Sequence, residues 1–316
     1  MAHNWETELE MQFQRDEGRK SPVLSLCFDD PVPYLTFPKL AACEKVRHLF
    51  TTRAGGVSKG QFTSMNFSVH LGDDKSNVRE NYERIAKVLG CDVTSIVGTV
   101  QTHTTNIRRV DQNDAGKVVV KEPDYGDIDG LVTNEKGLAL AVYTADCVPL
   151  FFVDPVKEAI GMAHSGWRGT AGNMAGKMVE RMAREFGTDP KDLLVAIGPS
   201  ICQKCYEVDE TVAEAFRNAL GDELKEREMI RESGIYPMQG STGLRQVLEP
   251  GKAPGKYQLD LWLANLIWFI RAGVLPEHID VTDLCTAQNK DLLFSHRASA
   301  GKRGNMAGFL MLKEGE

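Results

Sequence analysis

Apolar residues along this chain fall mostly into short runs separated by polar breaks that contain glycine or proline. The pattern centres on residues 145–170, ADCVPLFFVDPVKEAIGMAHSGWRGT. Two apolar runs lie there, at 148–153 and 159–163, and Asp154 and Pro155 open a turn between them. Run length and turn chemistry predict a strand, a turn and a second strand. An antiparallel pairing would bring Cys147, just before the first run, to the same sheet edge as His164, just after the second. The glycine-containing turn 165–170 then leads into a helical pattern. Such a turn ahead of a helix suits an anion or a sugar hydroxyl.

The same reading extends along the chain. Residues 1–35 carry mixed charge and few periodic apolar positions, and are expected to be a tail or an edge element. A strand at 46–52 runs into the Arg53-Ala54-Gly55-Gly56 turn, and a polar loop with Asn66 and His70 follows. The apolar spacing predicts a helix over 77–89, and strands at 96–100, 107–110, 118–120 and 138–143. A helix over 171–186 carries Met174, Met178 and Met182 at intervals of four, which is core filling. A strand at 193–197, a short helix at 211–220, an amphipathic helix at 259–272 and strands at 279–284 and 308–312 complete the pattern. From 221 to 257 the periodicity dissolves, and an irregular insertion is expected. Many strands, few helices and no βαβ regularity predict an α+β fold: a layered sandwich of mixed, largely antiparallel sheets flanked by helices. One catalytic domain over 36–316 is the expected organisation.

Composition narrows the function class. The 316 residues are 42% hydrophobic and 26% charged, ordinary values for a globular protein. A net charge of −7 argues against nucleic acid as a partner. No apolar run reaches the ~18 residues of a membrane span, and the polar start lacks a signal-peptide core, so a cytoplasmic location is expected. Seven cysteines, an odd number in a chain of this size, favour free thiols or a metal site over a disulfide framework.

Three residues, His103, Cys147 and His164, each close an expected strand beside small or polar neighbours. Their spacing is too wide for a zinc finger but suits three ligands converging from separate strand ends, with an open fourth position. The alternative is an inert thiol and two ordinary histidines. Cys202-Gln203-Lys204-Cys205 is a C-x-x-C pair without a second close pair, and is read as structural or incidental. Neither the Walker pattern nor G-x-G-x-x-G occurs. Arg53, Arg168 and Arg297 lie in turns near strand ends, where a forked guanidinium could take an anion.

The chain resembles the YfiH/YlmD family, also called the laccase-domain or multicopper polyphenol oxidase family. The stretches that carry the resemblance are TRAGGVS (52–58), VQTH (100–103), DGLVT (129–133), ADCVPL (145–150), HSGWRGT (164–170), IGPSI (197–201), CYEV (205–208) and Cys285-Thr286. Thr104 departs from the glycine usual after the family's Q-x-H. The resemblance implies a zinc site at His103, Cys147 and His164, with copper as the alternative ion. It also implies phosphorolysis of adenosine, inosine and methylthioadenosine, and deamination of adenosine. A purine nucleoside and phosphate would be the partners. Cys147, His164 and Asp146 are the candidate catalytic residues, and Arg53, Asn66, His70, Ser165 and Arg168 the candidate substrate-binding ones. Two rivals remain: a hydrolase that edits peptidoglycan precursors through Cys147, and a single-copper polyphenol oxidase. The chain contains no H-x-H pair of the kind that multicopper oxidases use. A binding protein with a structural zinc is the non-enzymatic reading.

Overall fold

The computed structural model describes residues 12–16, 23–68, 70–236 and 245–314. Its backbone is a stack of layers. The first sheet has the order β1-β2-β3-β15-β7-β4, from β1 (Ser25–Asp29), β2 (Val32–Thr36), β3 (Val46–Thr51), β4 (Ile96–Gly98), β7 (Ala139–Thr144) and β15 (Met306–Leu312). The second has the order β14-β10-β8-β9-β6-β5, from β5 (Ile107–Arg109), β6 (Gly130–Thr133), β8 (Val148–Asp154), β9 (Ala159–Ser165), β10 (Leu194–Ile197) and β14 (Ile279–Val281). Most neighbours are antiparallel; β4 with β7, β5 with β6 and β10 with β14 are parallel. This is the mixed, largely antiparallel sandwich that the sequence predicts.

Alternation along the strands builds the layers. Leu140, Val142 and Leu310 of the first sheet meet Leu131, Phe151, Ile160 and Met162 of the second in one buried cluster. The opposite face of the second sheet, with Val132, Phe152 and Ala163, is covered by the helices Met174–Phe186 and Leu261–Arg271. The outer face of the first sheet, with Leu49, Ala141 and Phe309, is covered by the Lys75–Leu89 helix through Val78, Tyr82 and Ile85. Helix, sheet, sheet and helix therefore follow one another. Strands β8 and β9 are buried at every position because both of their faces are covered, and so they read as continuous apolar runs.

Several local expectations need correction. Residues 118–120 form no strand; Val118 has φ 74° and the segment is a turn. The helix expected over 171–186 is two helices, Trp167–Ala171 and Met174–Phe186. The break has a cause: Asn173 sits at φ 60° and its side chain caps the second helix by accepting from the Gly176 N–H. The segment 221–257 is not irregular where it is described. It contains the helix Leu224–Ser233 and strands β12 (Leu248–Pro250) and β13 (Lys256–Leu259), which join β11 (Glu207–Asp209) in a three-stranded sheet. Its residues 237–244 lie outside the described residues. Near the start of the chain, β1 and β2 form a hairpin at the edge of the first sheet, so the expected boundary at 35/36 falls inside β2.

Candidate metal centre

The β8–β9 hairpin pairs Val148 with Ser165 and Pro149 with His164. Cys147 and His164 are thereby held at one end of the second sheet. Strand β6 pairs with β9 so that Gly130 faces Ala163, which sets Asp129 beside His164. The loop after β4 carries His103 to the same place. The ligand atoms of His103, Cys147 and His164 all lie within 4.8 Å of one another. His103 Nε2 is 4.0 Å from Cys147 Sγ, and the two imidazole rings meet edge to face at 4.9 Å.

Asp129 organises this end of the sheet, and it is fully buried. Its Oδ1 lies 2.7 Å from His164 Nδ1 and accepts the His103 N–H at 3.1 Å. Its Oδ2 accepts the N–H groups of Thr102 and Thr104 at 3.1 and 2.9 Å, and the Thr104 hydroxyl at 3.0 Å. One carboxylate thus fixes the His103 loop and the orientation of His164. With Nδ1 bound, His164 presents Nε2 to the trio, the carboxylate–histidine arrangement that supports metal ligands. The His103 backbone is held at φ 67°, a conformation that the three successive N–H bonds stabilise.

The next residue to Cys147 is held as firmly. Asp146 has φ 95°. Its Oδ1 accepts the Thr286 hydroxyl and its Oδ2 the Arg297 N–H, both at 2.6 Å. Gly166 supplies the room for the trio: a Cβ there would lie 3.0 Å from His103 Cδ2 and 3.1 Å from Cys147 Sγ.

The electrostatics agree with the geometry. Burial pushes the Cys147 thiol up, but the His164 charge and hydrogen bonds from both histidines outweigh it and bring it down to about 6. Burial alone would lower His164; the Cys147 thiolate and the Asp129 carboxylate overcome it and raise it to about 9. Burial likewise pushes Asp129 up, yet its bond to His164 and its backbone donors hold it below the ordinary carboxylate value. A soft thiolate, two imidazoles and a buried supporting carboxylate form a donor set that fits zinc or copper.

The other candidates divide. Arg168 is exposed and stacks on the Trp167 ring at 4.4 Å. Arg53 donates to the carbonyls of Thr63 and Lys290 and stacks on Phe294, so its guanidinium joins two loops. His70 is exposed. Asn66 and Ser165 are fully buried. Asn66 bonds Ser68, Asp73 and Asn305, while Ser165 is tied to Thr170 and Asn265 under the helices.

Two residues near the trio were not singled out from the sequence. Tyr206 is pushed upward mainly by burial and then by the Cys147 charge, with Arg297 and Arg168 acting against it, which places it among these groups. Arg303 is half-buried, and its Nε has no partner. Burial lowers its guanidinium while the charges of Cys147 and Asp146 raise it. Its position in the closing Gly301-Lys302-Arg303-Gly304 turn was the only available signal.

Comparison with known proteins places the chain in a family. Residues 47–313 match the family described as multi-copper polyphenol oxidoreductase laccase. The chain is 37% identical over 266 residues to purine nucleoside phosphorylase YlmD of Bacillus subtilis, covering 84% of this chain and 88% of that one. It is 31% identical over 255 residues to adenosine deaminase RL5 from an unknown prokaryotic organism, covering 80% and 89%. The crystal structure of YfiH from Bacillus licheniformis superposes with a TM-score of 0.79 at 32% identity, covering 91% of this chain and 99% of that one. Fold and sequence agree, and the chain belongs to the multi-copper polyphenol oxidoreductase laccase family, the family of YlmD and YfiH.

Proposed function

We propose that this chain is a zinc-dependent purine nucleoside enzyme, which phosphorolyses adenosine, inosine and methylthioadenosine and deaminates adenosine. The observation that carries the reading is the convergence of His103, Cys147 and His164 around one point, in a chain similar to a named phosphorylase and a named deaminase. A zinc ion held by the three would supply Lewis acidity that activates a water or polarises an oxygen of the substrate. The remaining work belongs to side chains. Asp129 keeps His164 in one tautomer. Asp146 has both carboxylate oxygens occupied, so its part is to hold the Cys147 backbone rather than to move a proton. Arg303, with its unpartnered Nε, and Arg168 are the groups to hold phosphate while it attacks C1′ and the base departs. The Tyr206 ring offers a face for the base.

One rival has an observation of its own. Cys147, His164 and Asp129 stand in the order of a nucleophile, its base and an orienting carboxylate, which would serve a cysteine hydrolase. One experiment separates the two readings. Nucleoside turnover, in phosphate and in phosphate-free buffer, is followed as zinc is removed and returned, together with the rate of Cys147 alkylation by iodoacetamide. Under the zinc reading, turnover falls on chelation and recovers with Zn²⁺, and alkylation is slow until the metal leaves. Full nucleoside turnover in protein shown to be metal-free would overturn it.

A further inference from the structure

The C-x-x-C pair has a third member. Cys285, 80 residues further on, packs against Cys202 and Cys205, and the three sulfurs all lie within 4.8 Å of one another. Two segments build the cluster. Residues 198–205 follow β10, and Cys285 follows β14, the parallel neighbour of β10. Beyond the ends of these strands the pairing continues as a parallel bridge between Ser200 and Cys285, with the Thr286 N–H bonded to the Ser200 carbonyl at 3.1 Å. A 3₁₀ turn over Gln203–Cys205 closes with the Cys205 N–H on the Cys202 carbonyl at 3.0 Å. That turn brings the two sulfurs of the pair together, as C-x-x-C turns do at structural metal sites.

The surroundings suit thiolate ligands. The Cys202 N–H points at Cys285 Sγ at 3.3 Å, a backbone donor to sulfur of the kind that supports a bound thiolate. All three cysteines are free. Cys202 and Cys285 are 4% and 1% exposed, while Cys205 is half-buried and gives a way in. The Gln288 side-chain oxygen lies 3.9 Å from Cys202 Sγ. Among the described residues no histidine, carboxylate or fourth cysteine joins the group, so the donor set is all sulfur and selects thiophilic ions.

We propose that Cys202, Cys205 and Cys285 form a second metal site, for a thiophilic ion of the Zn²⁺ or Cu⁺ class. Its placement gives it a part in the first site. Ile201, next to Cys202, donates its N–H to the Asp146 carbonyl at 3.0 Å. Thr286, next to Cys285, donates its hydroxyl to the Asp146 carboxylate. An ion joining the three sulfurs clamps the two loops that hold Asp146, and through it Cys147.

Metal counting tests this without reference to nucleoside chemistry. Full-length protein is stripped, reloaded anaerobically with Zn²⁺ alone or Cu⁺ alone, and passed over a chelating resin. The expected result with the preferred ion is two equivalents per chain, falling to one in Cys205→Ser and to one in His103→Ala. Loading with Co²⁺ reads the ligands directly. Three of the four cysteine sulfurs in the two clusters lie at the second site, so the thiolate-to-cobalt band should fall to about a quarter in Cys205→Ser if the ion is lost. Should Cys205→Ser fail to fold, His103→Ala decides alone: one retained ion with a thiolate band supports the site, and none overturns it. A single equivalent in the wild type that His103→Ala abolishes, two equivalents persisting in Cys205→Ser, or a Cys202–Cys205 disulfide in place of bound metal would each overturn it as well.

Discussion

His48 shows how a single buried side chain ties stability to pH. It sits on β3, is 8% exposed, and its Nε2 accepts the Phe37 N–H at 2.9 Å. Burial lowers its pKa to about 4. The unfolded chain therefore takes up the proton first, near the ordinary value of about 6.5. The contribution is complete above that value and is lost as the pH falls toward 4, by about 3 kcal/mol in all at one pKa unit per 1.36 kcal/mol. We expect the urea midpoint to fall between pH 7 and pH 4, and the fall to be smaller in His48→Gln. Equal pH dependence in the two proteins would show that other groups carry it. At this scale the trio was legible in the sequence, because each member closes an apolar run. Asp129 was legible only as part of a motif. Its work is done on the backbone N–H groups of residues 102–104, and no pattern of side chains reveals a partner of that kind. The roles of Arg53, Asn66 and Ser165 were not legible for the converse reason: a polar side chain in a turn looks the same in the sequence whether it faces a ligand or bonds the protein's own groups.

The β8–β9 hairpin is the element on which the site depends, and its register was readable from two apolar runs and a turn. Gly166 is the position where that register is most exposed to test. Its absent side chain is the space into which His103 and Cys147 converge. Under the proposed zinc reading, Gly166→Ala should cost at least about tenfold in zinc affinity, as loss of a ligand's support typically does. The thermal midpoint of the metal-free protein should change little. Chelator competition measures the first and calorimetry the second; unchanged affinity would mean that the neighbours yield without moving the ligands. The elements that the sequence hid are those with little to bury. The Leu224–Ser233 helix buries only Ile230 among its residues, so its periodicity is faint. The division at Asn173 was hidden because a left-handed cap has no apolar signature.

For the molecule as a whole, the layered class followed from run length and from the scarcity of helices, whereas strand order did not. Periodicity says which face of a strand is buried and is silent about its neighbours. The last strand illustrates this: β15 enters the first sheet between β3 and β7. It pairs Gly308 with Phe50 on one side and with Val142 on the other. A chain shortened to residue 304 would leave two apolar interior strands with unpaired edges. It should lose its cooperative thermal transition, while one ending at residue 313 should keep it. A sharp transition in the shorter chain would show that the first sheet can close without its centre.

The position of β15 also bears on how the protein is made. Chain synthesis runs from β1 toward β15, so the hairpin of β1 and β2, and β3 beside it, leave the ribosome long before the strand that joins them to β7. Throughout that interval β3 and β7 carry open hydrogen-bonding edges and apolar faces. The first sheet can be completed only when β15 arrives. The second sheet has its last member, β14, earlier in the chain and can assemble ahead of it. Between the emergence of β14 and that of β15 a nascent chain of this fold is thus half-built, with its unfinished half the one that would attract a chaperone or a neighbouring copy.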